Sequence, residues 1–198
     1  MEISDKKGST KKIIVLAVLV IISRLSDIIS TYLYIPDLRG ETNILVKFLG
    51  AGWVSIIIIQ SLLVGVSVYL LYYYLFKFKP NYPTEKGLTL NQFASYLYFN
   101  DTSYFGKLFY KTPKNKNVFF ASIGYVVSMT LITVGFMVGT STTLLLLSDT
   151  YKQLYKNGIP TLLFVLTGVS ALWFYYRFFS IEYKKYKQYI NFNQLLRF

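Results

Sequence analysis

Residues 13–35, IIVLAVLVIISRLSDIISTYLYI, form an apolar run with one arginine and one aspartate, Arg24 and Asp27, in its middle. A bilayer core about 30 Å thick needs roughly 20 helical residues at ~1.5 Å each. Three further runs, 53–76, 118–147 and 161–180, also meet that length. The five prolines, Pro36, Pro80, Pro83, Pro113 and Pro160, all fall between the runs, where helices stop and start. The expected fold is an all-α membrane protein, with four transmembrane helices in a single polytopic domain over residues 1–198. Composition agrees, because 54% hydrophobic and 15% charged residues depart from the balance of a soluble domain. Lys6, Lys7, Lys11 and Lys12 give the first run the look of a secretory signal. Its length, its internal charges and the lack of a small-x-small cleavage site make it a retained span instead.

The net charge of +12 could suggest nucleic acid, but its distribution follows the positive-inside rule. The lysines before span one match Lys77, Lys79, Lys86, Lys107, Lys111, Lys114 and Lys116 between spans two and three. Lys184, Lys185, Lys187 and Arg197 follow span four, whereas the other two connections carry only Arg39, Lys47, Lys152 and Lys156. Both termini are therefore expected on the cytoplasmic side of a cell (cytoplasmic or inner) membrane. The lysines would meet anionic lipid headgroups, and no nucleic acid is expected. Tyr32, Tyr34 and Trp53 would anchor one interface, and Tyr72, Tyr73, Tyr74, Phe119, Phe120, Trp173, Tyr175 and Tyr176 the other.

Residues 88–111 are too apolar for a plain loop and too polar for a fifth span. Thr89 and Gln92 have capping-box spacing, and Leu90, Phe93, Ala94, Leu97 and Tyr98 recur at helical intervals. The spacing predicts a short amphipathic helix on the cytoplasmic leaflet, ended by Asn100 and Asp101. Tyr104, Phe105, Leu108 and Phe109 suggest a second interfacial piece. Gly50-Ala51-Gly52 predicts a bend where residues from Thr42 onward lead into span two.

On a helical wheel Ser23, Arg24, Asp27, Ser30, Thr31 and Tyr34 fall within one arc of about 120°, which gives span one a polar face. Charges at that depth are costly and mark functional sites or assembly contacts by default. Depth counting adds Gln60 on span two, Gly139, Thr140 and Ser141 on span three, and Thr167 to Ser170 on span four. The expected intramembrane polar site is thus Arg24, Asp27, Ser30, Thr31, Gln60, Thr140 and Thr167, with Glu41 and Asn43 near the outer surface. Gly135 and Gly139 make a G-x-x-x-G within a stripe of Ala121, Gly124, Ser128 and Thr142, suited to close helix packing within the chain or in a homodimer.

The chain has no histidine and no cysteine. Thiolate chemistry, disulfides and the commonest metal ligand are therefore excluded, and no catalytic residue, metal site or cofactor is expected. The Arg24–Asp27 pair has three readings: mutual neutralisation, a ligand or ion pathway, and a contact with another membrane protein. They lead to three function classes. The first is a non-enzymatic subunit of a membrane complex of secretion, envelope or defence type. The second is a small oligomeric ion- or proton-linked transporter or channel, and the third a lipid-modifying enzyme using Asp27 and Glu41 as acid and base.

Arg24-x-x-Asp27-x-x-Ser30-Thr31 followed by Glu41-x-Asn43 resembles a D-x-x-[ST]-T … E-x-N-P pattern of uncharacterised small integral membrane proteins of bacteria and archaea. Ile44 stands in the proline position, and the likeness covers about the first fifty residues. The resemblance draws attention to Asp27, Thr31, Glu41 and Asn43 and implies no activity.

Overall fold

The computed structural model describes residues 2–38, 52–102, 106–107 and 110–195, and every regular element among them is helical. The elements are α1 (Glu2–Tyr34), α2 (Trp53–Tyr72) with a π turn at Tyr73–Lys77, α3 (Leu90–Phe99), α4 (Lys116–Leu147), α5 (Asp149–Lys156) and α6 (Ile159–Leu195). Four segments are long and apolar enough to cross a membrane: Gly8–Tyr34, Trp53–Lys77, Lys116–Leu147 and Ile159–Phe192. That suits a multi-pass integral membrane protein.

Local chemistry explains the boundaries. Pro36 brings no N–H and drives Ile35 out of helical geometry, so α1 closes with Ile35 N–H donating to the Thr31 carbonyl at 2.8 Å. The chain then turns through Leu38 at φ +58°, a left-handed conformation that is strained for leucine. Thr89 and Gln92 form the expected capping box at the head of α3, and Asn100 ends it at φ +55°. Ser148 accepts from the Tyr151 N–H to start α5. Gly158, at φ +120°, separates α5 from α6, and Pro160 sits in the first turn of α6, where its missing N–H is harmless.

Three expectations change. Span four does not stop near residue 180. No proline, glycine or turn signal follows, and α6 continues for 37 residues, roughly 55 Å at ~1.5 Å each. The third connection holds a short helix, α5, that apolar runs could not reveal because it has no buried residue. In α3, Phe93, Ala94, Leu97, Tyr98 and Phe99 are buried against other parts of the chain, not left open to a lipid surface. The second interfacial piece at Tyr104, Phe105, Leu108 and Phe109, and the bend at Gly50-Ala51, lie outside the described residues.

The chain forms two compact units. Unit 1, Met1–Tyr69 with Val127–Ala171, contains α1, α5 and parts of α2, α4 and α6. Here Ser128 Oγ donates to the Ser67 carbonyl at 3.1 Å, and Trp53 Nε1 donates to the Pro36 carbonyl at 2.7 Å while its ring meets Tyr32 edge-on. Unit 2, Leu70–Val126 with Leu172–Phe198, contains α3 and the remaining parts of α2, α4 and α6. Its core is aromatic: Tyr74 contacts Tyr125 and Phe178, and Tyr98 contacts Phe179. The π turn, closed by Phe78 N–H to the Tyr73 carbonyl at 2.9 Å, lies where Tyr74 enters that core.

Candidate functional site

Glycine spacing on α4 sets the position of the charged pair of α1. A Cβ at Gly135 would lie 2.7 Å from the Ser23 carbonyl oxygen and against the Arg24 guanidinium. One at Gly139 would lie 2.5 Å from Ser26 Oγ and 3.3 Å from the Asp27 nitrogen. The G-x-x-x-G is therefore a slot into which α1 packs within unit 1, and the small residues Ala121, Gly124, Ser128, Gly135, Gly139 and Thr142 are all buried. Backbone contact this close brings Ser23 Oγ to 3.3 Å and Arg24 Nη2 to 3.1 Å from the Leu131 carbonyl, both donating to it.

Arg24 is buried, with 7% of its surface exposed, and its Nη1 stands 3.4 Å from Asp27 Oδ2. The two residues line a cavity of about 810 Å³ in unit 1. Ile28, Thr31 and Tyr34 of α1, Trp53, Ile56 and Gln60 of α2, Thr142 of α4 and Tyr155 of α5 share its wall. Asp37 and the strained Leu38 lie on the same wall. On residues of this wall, two buried polar atoms lack a hydrogen-bond partner among the described residues, Arg24 Nε and Gln60 Oε1. Such atoms are costly and call for explanation.

Four of the expected polar residues, Arg24, Asp27, Thr31 and Gln60, thus come together. The others do not. Ser30 is buried and donates to the Asp27 carbonyl at 3.1 Å, satisfying its own helix. Thr140 is exposed; Thr142, two residues and about 200° further round α4, lines the cavity in its place. Thr167 donates to the Leu163 carbonyl at 2.8 Å and is absent from the cavity wall. Glu41 and Asn43 lie outside the described residues. Tyr155 escaped sequence reasoning because α5 did, although Ser148-Asp149 after an apolar run is an N-cap signal.

Unit 2 holds an acidic residue that the sequence reading missed. Glu182 is completely buried, accepting from Tyr74 Oη at 3.1 Å and Tyr82 Oη at 3.0 Å and pairing with Lys185 Nζ at 2.7 Å. Burial pushes the Tyr82 phenol up from its ordinary value, and the Glu182 carboxylate adds to the effect. Nearby, Tyr98 and Ser122 share a 2.5 Å hydrogen bond, and burial raises Tyr98 against the opposing pull of its bonds to Ser122 and Tyr175. Tyr183 Oη donates to the Leu88 carbonyl and Tyr186 Oη to that of Glu85, tying residues 78–89 to α6.

Among the described residues no group of three or more acidic side chains is placed to hold a metal ion. Comparison with protein-family models, with curated proteins and with solved structures finds no match.

Proposed function

We propose that this multi-pass membrane protein binds a small solute bearing charged groups in the unit 1 cavity, as the binding step of a compact ion- or proton-linked transporter that works as an oligomer. One observation carries the reading: the Arg24–Asp27 pair lies on the wall of a cavity of about 810 Å³, within the size range of small-molecule sites. A pair kept only for mutual neutralisation needs no cavity. A pair kept to grip another protein belongs on an outward face, yet Arg24 is turned into its own chain. Two residues of the D-x-x-[ST]-T pattern, Asp27 and Thr31, share the wall, which supports reading that pattern as a ligand-site signature. The lysine distribution supports cytoplasmic termini, with the basic residues meeting anionic headgroups.

One feature favours the subunit reading. On α6 within unit 1, Leu162, Phe164, Val165 and Val169 are exposed, which leaves room for a protein partner or for lipid. The two readings part in proteoliposomes on a solid-supported membrane. Wild-type protein should give a transient current on a sodium or pH jump, and Asp27→Asn should abolish it while keeping the same elution volume. Silent wild-type protein, with a stoichiometric partner released from native membranes by Asp27→Asn, would establish the subunit instead.

A further inference from the structure

Building on the solute-binding reading, we infer that the ligand is zwitterionic: a small molecule pairing an ammonium with an oxyanion on a short backbone, with an apolar side group. Arg24 and Asp27 together are neutral, so a singly charged ligand would leave net charge at a buried site, whereas a zwitterion leaves none. Asp37, the other carboxylate on the wall, is exposed on the turn after α1, where water screens it.

Geometry points the same way. The 3.4 Å separation of Arg24 Nη1 and Asp27 Oδ2 exceeds the ~2.7–2.9 Å of a tight charge-assisted hydrogen bond. The pair is close enough to hold its shape and long enough to exchange partners. Arg24 Nε is a donor and Gln60 Oε1 an acceptor without a partner, both buried on residues of the wall, so a small turn of either side chain would offer them to an oxyanion and an ammonium N–H. Asp27 supplies the countercharge beside them. Ile28, Ile56, Val138 and Leu145 give the same cavity an apolar wall that would cover an aliphatic side group. This chemistry has two sources, a free amino acid or the headgroup of an aminophospholipid.

Trp53 lies on the cavity wall and the chain has one other tryptophan, the exposed Trp173, so Trp173→Phe leaves a single fluorophore at the site. That protein, in nanodiscs of phosphatidylcholine and phosphatidylglycerol, is titrated with L-leucine, with L-leucinamide, which lacks the anion, and with N-acetyl-L-leucine, which lacks the cation. Leucine should shift Trp53 emission at a concentration at least about tenfold below either analogue, the loss of about one charged hydrogen bond. Gln60→Leu should weaken it by a similar factor, and Gln60→Glu, which adds a negative charge to the wall, should narrow the preference for leucine over leucinamide. A shift on adding phosphatidylethanolamine, with none from leucine, supports the same chemistry with the lipid as its source. A response to leucinamide or N-acetyl-leucine alone overturns the zwitterion while leaving solute binding intact. No response to leucine or to phosphatidylethanolamine also overturns it, and ion-jump currents then judge the transporter reading separately.

Discussion

Unit 1 and unit 2 each place an acidic side chain among polar partners, Asp27 in one and Glu182 in the other, and set it in different surroundings. Glu182 is wholly enclosed, with two phenol hydroxyls and an ammonium on its two oxygens. Asp27 has a more distant cation, and the guanidinium facing it keeps an unused Nε–H beside a cavity. A closed polar cluster holds structure together, because each member offsets the desolvation of the others. An unpartnered guanidinium N–H on a residue of a cavity wall carries a standing cost that a ligand can remove. The contrast fits a structural role for Glu182 and the recognition role proposed for the Arg24–Asp27 pair.

The largest expected effect tests the closed half. Glu182→Leu strands the Tyr74 and Tyr82 hydroxyls in an aromatic core and should cost about 3 kcal/mol, since losing one member of a buried charged cluster leaves the rest unpaired. Lys185 is half-exposed and can turn to water, which keeps the figure at the low end. Thermal unfolding in detergent reads the loss, and a variant as stable as wild type would remove the structural role given to this cluster.

Next come the glycines that bring the helices together in each unit. Gly135→Ala in unit 1 meets the Ser23 carbonyl, and Gly124→Ala in unit 2 meets the Leu70 carbonyl, so both should destabilise by about 1–3 kcal/mol. Gly168, with nothing within 4 Å of its missing Cβ, is the control. Gly168→Ala should be neutral or stabilise by up to ~1 kcal/mol through helix propensity. Only Gly135→Ala should also alter Trp53 emission, because it alone pushes on Arg24.

Asp27→Leu should be milder than Glu182→Leu, costing about 1–2 kcal/mol, because Arg24 retains the Leu131 carbonyl. Replacing both Arg24 and Asp27 with leucine should bring stability back to within about 1 kcal/mol of wild type while ion-jump currents stay absent. Unfolding curves and currents on the same preparations separate the two effects. Currents retained in the double variant would show that the open pair is structural after all.

What the sequence disclosed follows from what periodicity and length encode. The four spans were legible because a bilayer imposes a length, and the G-x-x-x-G because close backbone approach demands small residues at one spacing. The polar arc of α1 found Arg24, Asp27 and Thr31 because residues sharing a helix face share a neighbour. Depth counting found Gln60, yet it picked Thr140 over Thr142, since it fixes height along a helix and leaves rotation open. Glu182 was hidden for another reason. It follows a plain apolar run and precedes a lysine-rich stretch, so it reads as a solvated tail, and only the fold of residues 78–89 against α6 shows it enclosed. Tyr155 was missed because α5, at eight residues, is too short to form an apolar run, although Tyr151, Leu154 and Tyr155 share one of its faces.

The smallest effect is also the one that isolates unit 2. Tyr82 and Tyr98 keep their protons in the folded protein beyond the usual range because burial disfavours the phenolate. An unfolded tyrosine loses its proton near pH 10. Above that value the unfolded chain binds fewer protons than the folded one, and stability falls as pH rises. The contribution of these two phenols is therefore complete below about pH 10 and is lost as pH climbs toward their raised folded values. Ultraviolet tyrosinate absorbance, followed together with helix content, should show part of the tyrosine signal appearing only as unit 2 unfolds. Tyr82→Phe should remove one such tyrosine and lessen the alkaline sensitivity, even though it costs Glu182 a hydrogen bond at neutral pH. Tyrosines that all titrate before any helix is lost would mean that the aromatic core of unit 2 admits water, and the contrast between a closed cluster and an open one would then rest on unit 1 alone.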